Sequence, residues 1–153
     1  MALNHLISLR RVGITNTLSI CCDETTVDIL NSKGFKARHI LSDLEYYPDL
    51  RYKLINELLD CNEYIWYMDV DTVVLKDVRQ YVDLTKNNDI YIQDDVNFAS
   101  TSCFLIKRSE SIYKFINDMW DKRGECQSDQ FFLNNNIRNT GVDINGITLP
   151  ILL

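Results

Sequence analysis

Apolar residues three and four apart open the chain: Leu3, Leu6, Ile7 and Leu9 share one side of a helical wheel, and Gly13 follows them. A helix over residues 3–12 is expected, ended by Gly13, because glycine readily takes the left-handed conformation that closes a helix. The period then changes. TLSICC is a short β-rich run, and Asp23 precedes TTVDILNSKGF, where an acidic first turn and Gly34 bracket a second helix. KARHI reads as a second short strand. Pro48 sits near the start of DLRYKLINELLDC, in which Leu50, Leu54, Leu58 and Leu59 lie on one helical face.

The strongest strand signal is EYIWYMDVDTVVLKD, where aromatic and β-branched residues dominate, and this strand is expected centrally in the sheet. A short helix near 78–84 follows, then DIYIQ and SCFLIKR as strands. Helices are expected from Ser109 to about Asp121 and from Ser128 to about Asn139, with GITLPILL as a last strand. Strands alternating with helices predict an α/β sandwich whose central sheet is mostly parallel and flanked by helices.

The chain has 153 residues and no internal repeat or Pro/Gly-rich linker, so a single domain over 1–153 is expected. A hydrophobic share of 46%, with 5 Gly and 2 Pro, excludes a linker or a disordered tail. The net charge of −6 leaves no basic surplus for many phosphate contacts, which argues against nucleic acid and anionic membrane as partners. No apolar run reaches the ~18 residues of a membrane span, and the start lacks the features of a signal peptide. A cytoplasmic protein with no integral membrane segment is expected. Cys21, Cys22, Cys61, Cys103 and Cys126 form no CxxC pair, and His5 and His39 stand far apart. A zinc site is not expected, and the cysteines read as small hydrophobes in a reducing compartment.

Candidate chemistry begins at Asp69 and Asp71, which follow the hydrophobic run YIWYM. If the strand continues through them, its two-residue period turns both carboxylates to one face, at the strand end where ligands of open α/β sheets collect. Two like charges so close repel, and a hard divalent cation removes that cost while keeping positions open for a diphosphate. Taken alone, a DxD is more often a pair of solvated turn residues at a strand end.

The surroundings of the pair carry more. RYKLINELLDCNEYIWYMDVDTVVLKDV, followed by DIYIQDD, STSCFLIKRSES and SDQFFLNN, resembles the nucleotide-diphospho-sugar transferases of the GT-A fold over about residues 2–140. The glycogenin-like family and the related plant and viral α-glycosyltransferases are the nearest in pattern. The resemblance implies a Rossmann-like GT-A sandwich and a metal-dependent glycosyltransferase. Such an enzyme moves a sugar from a nucleotide diphosphate, a UDP-sugar first among donors, with Mn²⁺ or Mg²⁺ and retention of configuration. The acceptor, whether glycan, protein or small molecule, stays open.

By position, the resemblance places Asp71 on the metal and Asp69 on metal or ribose. It places Lys53 near the donor's phosphates or sugar, and Asp129 and Gln130, the family's DQ, against the transferred sugar. Ser100, Thr101 and Ser102 align with an Asn-Ser-Gly or Cys-Thr-Gly stretch ahead of a strand, so Thr101 and Ser102 are expected beside the donor, with Ser102 in place of a glycine. Asp94, or its neighbour Asp95, matches an acidic position before the sugar loop. Each has a plainer role as well: Lys53 as a solvated helix lysine, Asp129 as a first-turn carboxylate after an N-cap Ser128, Asp94 and Asp95 as turn formers. The family's first, base-binding strand precedes the helix that opens this chain, and the family's late metal-binding His has no counterpart. A transferase lacking the first strand is therefore expected, with a weak grip on the base and self-association through the edge beside TLSICC.

Two rival readings are weighed. Haloacid-dehalogenase-like phosphatases also carry a DxD followed by Thr at a strand end, with Asp69 as nucleophile and Asp71 as acid/base. The stretch from Asp71 to Asp94 is shorter than the ~30 residues of one βαβ unit, too short for the motifs that must intervene. The other rival is a truncated transferase fold that binds partners or assembles without turnover.

Overall fold

In the computed structural model the described residues are 1–40, 47–86, 88–95, 98–122, 130, 133–134 and 144–147. Helix α1 (Ala2–Arg11) is followed by strand β1 (Ser19–Cys21), helix α2 (Glu24–Ser32), strand β2 (Ala37–His39) and helix α3 (Tyr47–Leu59). Then come β3 (Tyr64–Met68), a 3₁₀ turn at Val78–Tyr81, β4 (Ile90–Asp95), β5 (Phe98–Lys107), α4 (Glu110–Asp121) and β6 (Ile144–Ile147). Two compact units form, Met1–Glu45 with Val70–Gln80 and Tyr46–Asp69 with Tyr81–Leu153.

In the first unit β1 and β2 run parallel, Ser19 opposite Ala37 and Cys21 opposite His39, with α2 as the crossover that a parallel pair needs. Asp23 caps α2, its carboxylate accepting from the Thr26 N–H at 2.7 Å. Gly34, at φ 74°, turns the chain out of the helix, and the Phe35 N–H returns to the Leu30 carbonyl at 3.1 Å. Arg10 of α1 lies 4.0 Å over the Phe35 ring and donates to the Gly34 carbonyl at 3.0 Å, so the cation secures the same turn.

The second unit holds a four-stranded sheet in the order β3-β5-β4-β6. Its core combines two periods. Ile90 and Ile92 of β4 and Phe104 and Ile106 of β5 alternate onto one face, where they meet Tyr52, Ile55 and Leu59 of α3 and Ile112, Phe115, Ile116 and Met119 of α4. The α4 set has the i, i+3, i+4, i+7 spacing of an amphipathic helix. Ser109 caps that helix at the Ile112 N–H, 3.2 Å, and its hydroxyl reaches the Asp89 carboxylate at 2.6 Å.

The α/β class holds, and the departures lie in detail. β4–β6 is parallel, whereas β5 runs antiparallel to both β3 and β4. Only two residues separate β4 from β5, enough for a hairpin and far short of the dozen or so that a parallel crossover takes. β5 and β4 occupy the middle of the order and β3 its end, not its centre. The strand expected to run on through DVDTVVLKD stops at Met68, and Val73 and Leu75 are exposed. Leu50, Leu54 and Leu59 are buried on α3 as expected, joined by Tyr52 and Ile55. Of the helix expected at 128–139, the described Gln130, Leu133 and Asn134 are helical. The last strand starts at Ile144, ahead of GITLPILL, whose residues 148–153 lie outside the described residues. Cys21, Cys22, Cys61 and Cys103 are free thiols, and among the described residues no helix is long and apolar enough to cross a membrane.

The Asp23 cap gives the first unit an acid-sensitive contribution. Its bond from the Thr26 N–H holds the carboxyl below the ordinary carboxylate range. The contribution is therefore present above the unfolded value of about 3.9 and is lost as pH falls through the lower folded value. Asp23→Asn keeps a cap that does not titrate, so its urea midpoint should fall less than that of the wild type between pH 7 and pH 3. An equal fall would remove Asp23 from the acid response.

Candidate functional site

Pairing of β3 with β5 fixes the first carboxylate. The register runs from Tyr64 opposite Lys107 to Met68 opposite Cys103, and one step further the Asp69 N–H donates to the Ser102 carbonyl at 2.8 Å. Asp69 is thus held by the ladder although β3 ends at Met68. Its carboxylate Oδ1 accepts from the Tyr67 hydroxyl at 2.6 Å, two residues back on the same strand face. The Tyr67 ring stacks on Phe104, its cross-strand partner, with centroids 4.9 Å apart and planes 16° from parallel. The Arg51 guanidinium of α3 lies 4.9 Å from the centroid of the same ring and donates to the Thr101 carbonyl at 2.7 Å.

The second carboxylate belongs to the first unit. Asp71 is exposed and residues 70–71 form a turn, so the shared strand face expected of the two aspartates does not exist. The chain just beyond Asp71 is clamped onto α1. His5 Nδ1 lies 3.0 Å from both the carbonyl and the hydroxyl of Thr72, and the Val74 N–H donates to the Ser8 hydroxyl at 2.9 Å. The Ser8 hydroxyl in turn donates to the His5 carbonyl at 2.7 Å. His5 and Ser8 are both buried, three residues apart on the apolar face of α1. The signal for this clamp was a polar residue at each of two positions on a face otherwise built of leucine and isoleucine.

Ser100, Thr101 and Ser102 lie inside β5 and not ahead of a strand, because β5 starts at Phe98. The Ser100 and Ser102 hydroxyls are 2.7 Å apart, and Ser100 and Thr101 are buried. Gln130 is joined to this strand through Asn134. The Asn134 amide bonds Ala99 at two points, accepting from its N–H at 2.8 Å and donating to its carbonyl at 2.9 Å, and donates to the Gln130 carbonyl at 2.7 Å. The Asp94 backbone pairs with Ala99 after a register shift between Ile92 and Asp94. The side chains of Asp94 and Asp95, and Asp129 altogether, lie outside the described residues.

Lys53 is exposed and lines an open groove with Asn56 and Glu57 of α3 and Tyr113, Asn117 and Trp120 of α4. Two helix positions subtend about 200°, so Arg51 and Lys53 leave α3 on opposite sides. The cation that reaches Thr101 and Tyr67 is Arg51, which sequence reasoning passed over along with Tyr67 and Asn134. Cys103, opposite Met68, has its thiol pushed up by burial, which outweighs the lowering effect of the Trp66 indole N–H donating to its sulfur at 3.4 Å.

Among the described residues, no three His, Cys, Asp or Glu side chains converge on one point. Asp69 by itself offers only carboxylate oxygens, the donor type of Mg²⁺ and Mn²⁺, which take one or two carboxylates and complete their shell with phosphate oxygens and water, and not that of a zinc cage.

The chain matches the nucleotide-diphospho-sugar transferase family over residues 12–152. No curated protein matches it. In fold it is similar to the crystal structure of a glycosyltransferase involved in the glycosylation of the major capsid of PBCV-1. The superposition has a TM-score of 0.62 at 13% identity and covers 86% of this chain and 79% of that one. At that identity the likeness is one of fold.

The clamp on the segment after Asp71 is open to test. Ser8→Ala leaves the Val74 N–H buried without its partner, which costs about 1–3 kcal/mol. The thermal midpoint should fall accordingly, and an unchanged midpoint would show that the clamp does not hold the segment.

Proposed function

The chain belongs to the nucleotide-diphospho-sugar transferase family, and we propose that it moves a sugar from a UDP-sugar to a glycan, protein or small-molecule acceptor in a reaction that needs Mn²⁺ or Mg²⁺. The observation that carries this reading is the placement of Asp69. Its backbone is tied to β5 at Ser102 and its carboxylate is held by Tyr67, at the end of the strand from which the chain continues into the exposed Asp71.

Asp69 and Asp71 are proposed to hold the metal, Asp69 reaching the ribose as well. The bound cation would supply positive charge against the departing diphosphate. Thr101 and Ser102 are proposed to lie along the donor. The Ser102 carbonyl accepts from the Asp69 N–H and the Thr101 carbonyl from Arg51, which supports placing these two β5 residues near the strand end proposed for the metal. Asp94 is proposed for the sugar on the strength of its place beside Ala99. Asp129 and Gln130 are proposed to orient the transferred sugar and to stabilise its oxocarbenium-like transition state, with retention of configuration. The Asn134 clasp that ties the Gln130 carbonyl to Ala99 supports this, because it brings the helical segment to the same strand. Lys53 has its neighbours on α4, so its role at the donor's phosphates rests on family resemblance alone. The free thiols are consistent with action in the cytoplasm.

Two substitutions test the reading. Asp71→Asn should abolish Mn²⁺-dependent binding of UDP in calorimetry while the fold stays intact, since Asp71 is exposed. Unchanged metal-dependent binding would move the metal elsewhere. Asp129→Asn should lower Mn²⁺-dependent turnover of a UDP-sugar by orders of magnitude and leave UDP affinity nearly unchanged, as stabilisation confined to the transition state requires. Comparable loss of both contradicts the assignment to the sugar. A wild-type protein that binds UDP with Mn²⁺ yet neither transfers nor hydrolyses the donor is a binding module.

A further inference from the structure

We propose that Tyr67 and Arg51 are positioning residues for Asp69, so that metal affinity at this carboxylate depends on a phenolic hydroxyl two residues up the strand and on a guanidinium from α3. The inference rests on the reading of Asp69 as a metal ligand and adds the two groups that aim it.

A carboxylate at a strand end turns easily about its terminal torsion, which is broad and nearly two-fold. Here the 2.6 Å bond from the Tyr67 hydroxyl restrains Oδ1, and a hydrogen bond to an ionised acceptor is about twice as strong as a neutral one. The restraint is useful only if the donor is itself fixed. The Tyr67 ring is stacked on Phe104 across the ladder and lies near the Arg51 guanidinium, which is in turn held by the Thr101 carbonyl. The Asp69 backbone is pinned independently through its N–H to Ser102. Both ends of the carboxylate's lever therefore end on one short stretch of β5, residues 101–104.

Stacking on Phe104 asks only for an aromatic ring. Phenylalanine meets that need, so the hydroxyl is the part of Tyr67 that stacking does not explain, and it donates to the proposed ligand. Outer-shell groups of this kind orient ligating carboxylates, and their removal weakens metal binding about 10–100-fold.

The test is a titration of Mn²⁺ into the full chain in the presence of UDP, with free Mn²⁺ read from its electron paramagnetic resonance signal and with thermal midpoints measured alongside. Tyr67→Phe, which keeps the stack, should weaken Mn²⁺ binding about tenfold or more with a near-unchanged midpoint and unchanged metal-free UDP binding. Arg51→Met leaves the hydroxyl in place and removes the cation near its ring, and should weaken Mn²⁺ about two- to fivefold. It also decides the matter if Tyr67→Phe folds poorly. Asp69→Asn serves as the reference. Should it lose Mn²⁺ while Tyr67→Phe and Arg51→Met titrate like the wild type, positioning is refuted and Asp69 stands as a ligand. If Asp69→Asn also titrates like the wild type, the metal reading of Asp69 falls, and the positioning role with it.

Discussion

The register between β3 and β5 is the constraint from which the candidate site follows. Because Met68 faces Cys103, the next N–H on β3 meets the Ser102 carbonyl, and Asp69 takes a defined place although the regular strand has ended. The same register sets Tyr67 against Phe104, where its ring is stacked and its hydroxyl lies within reach of the carboxylate two residues on. A slip of one residue would reverse the faces of β3 and dissolve these contacts together. The core beneath makes that slip costly. Phe104 and Ile106 belong to the buried cluster with α3 and α4, and Ile65 and Tyr67 pack against it. Hydrophobic burial and polar geometry are therefore specified by one alignment of two strands.

The first unit treats Asp71 differently. No strand carries it; the chain turns, and the order comes from the residues just after it. His5 and Ser8 place polar groups on the buried side of α1 and use them on Thr72 and Val74. Buried polar atoms are tolerated when they are bonded, and these are bonded to the carbonyl and hydroxyl of Thr72 and to the Val74 N–H. A ladder thus holds one carboxylate, while side chains steady the chain beside the other.

Much of the fold is legible where the pattern is local. The spacing of Ile112, Phe115, Ile116 and Met119, the caps at Asp23 and Ser109 and the stop at Gly34 each fix an element within one or two turns of chain. Strand limits are less local. The valines after Asp71 favour β structure by type, yet the described ladders include none of them, and the Val74 N–H is taken by a serine hydroxyl. Conversely, Ala99 and Ser100 are weak or neutral strand formers that pairing draws into β5. The direction of β5 was illegible because the run DDVNFAST between the two apolar strands does not declare where pairing resumes. At the site, the aspartates stand out through their spacing and family resemblance. Arg51, Tyr67 and Asn134 do not, because their partners lie on other elements, or, for Tyr67, because an aromatic in a strand is already explained by packing.

The Asn134 clasp has a consequence for the chemical ageing of the protein. Its side-chain amide presents to Ala99 the same donor and acceptor as a peptide unit, so one residue of a helical segment pairs with β5 as a strand would. Hydrolysis of that amide to a carboxylate would turn its nitrogen into a charged oxygen facing the carbonyls of Ala99 and Gln130, both of which it now serves as a donor. Loss of ammonia from one side chain, without any cut in the chain, would set acceptor against acceptor where the helical segment is joined to the strand.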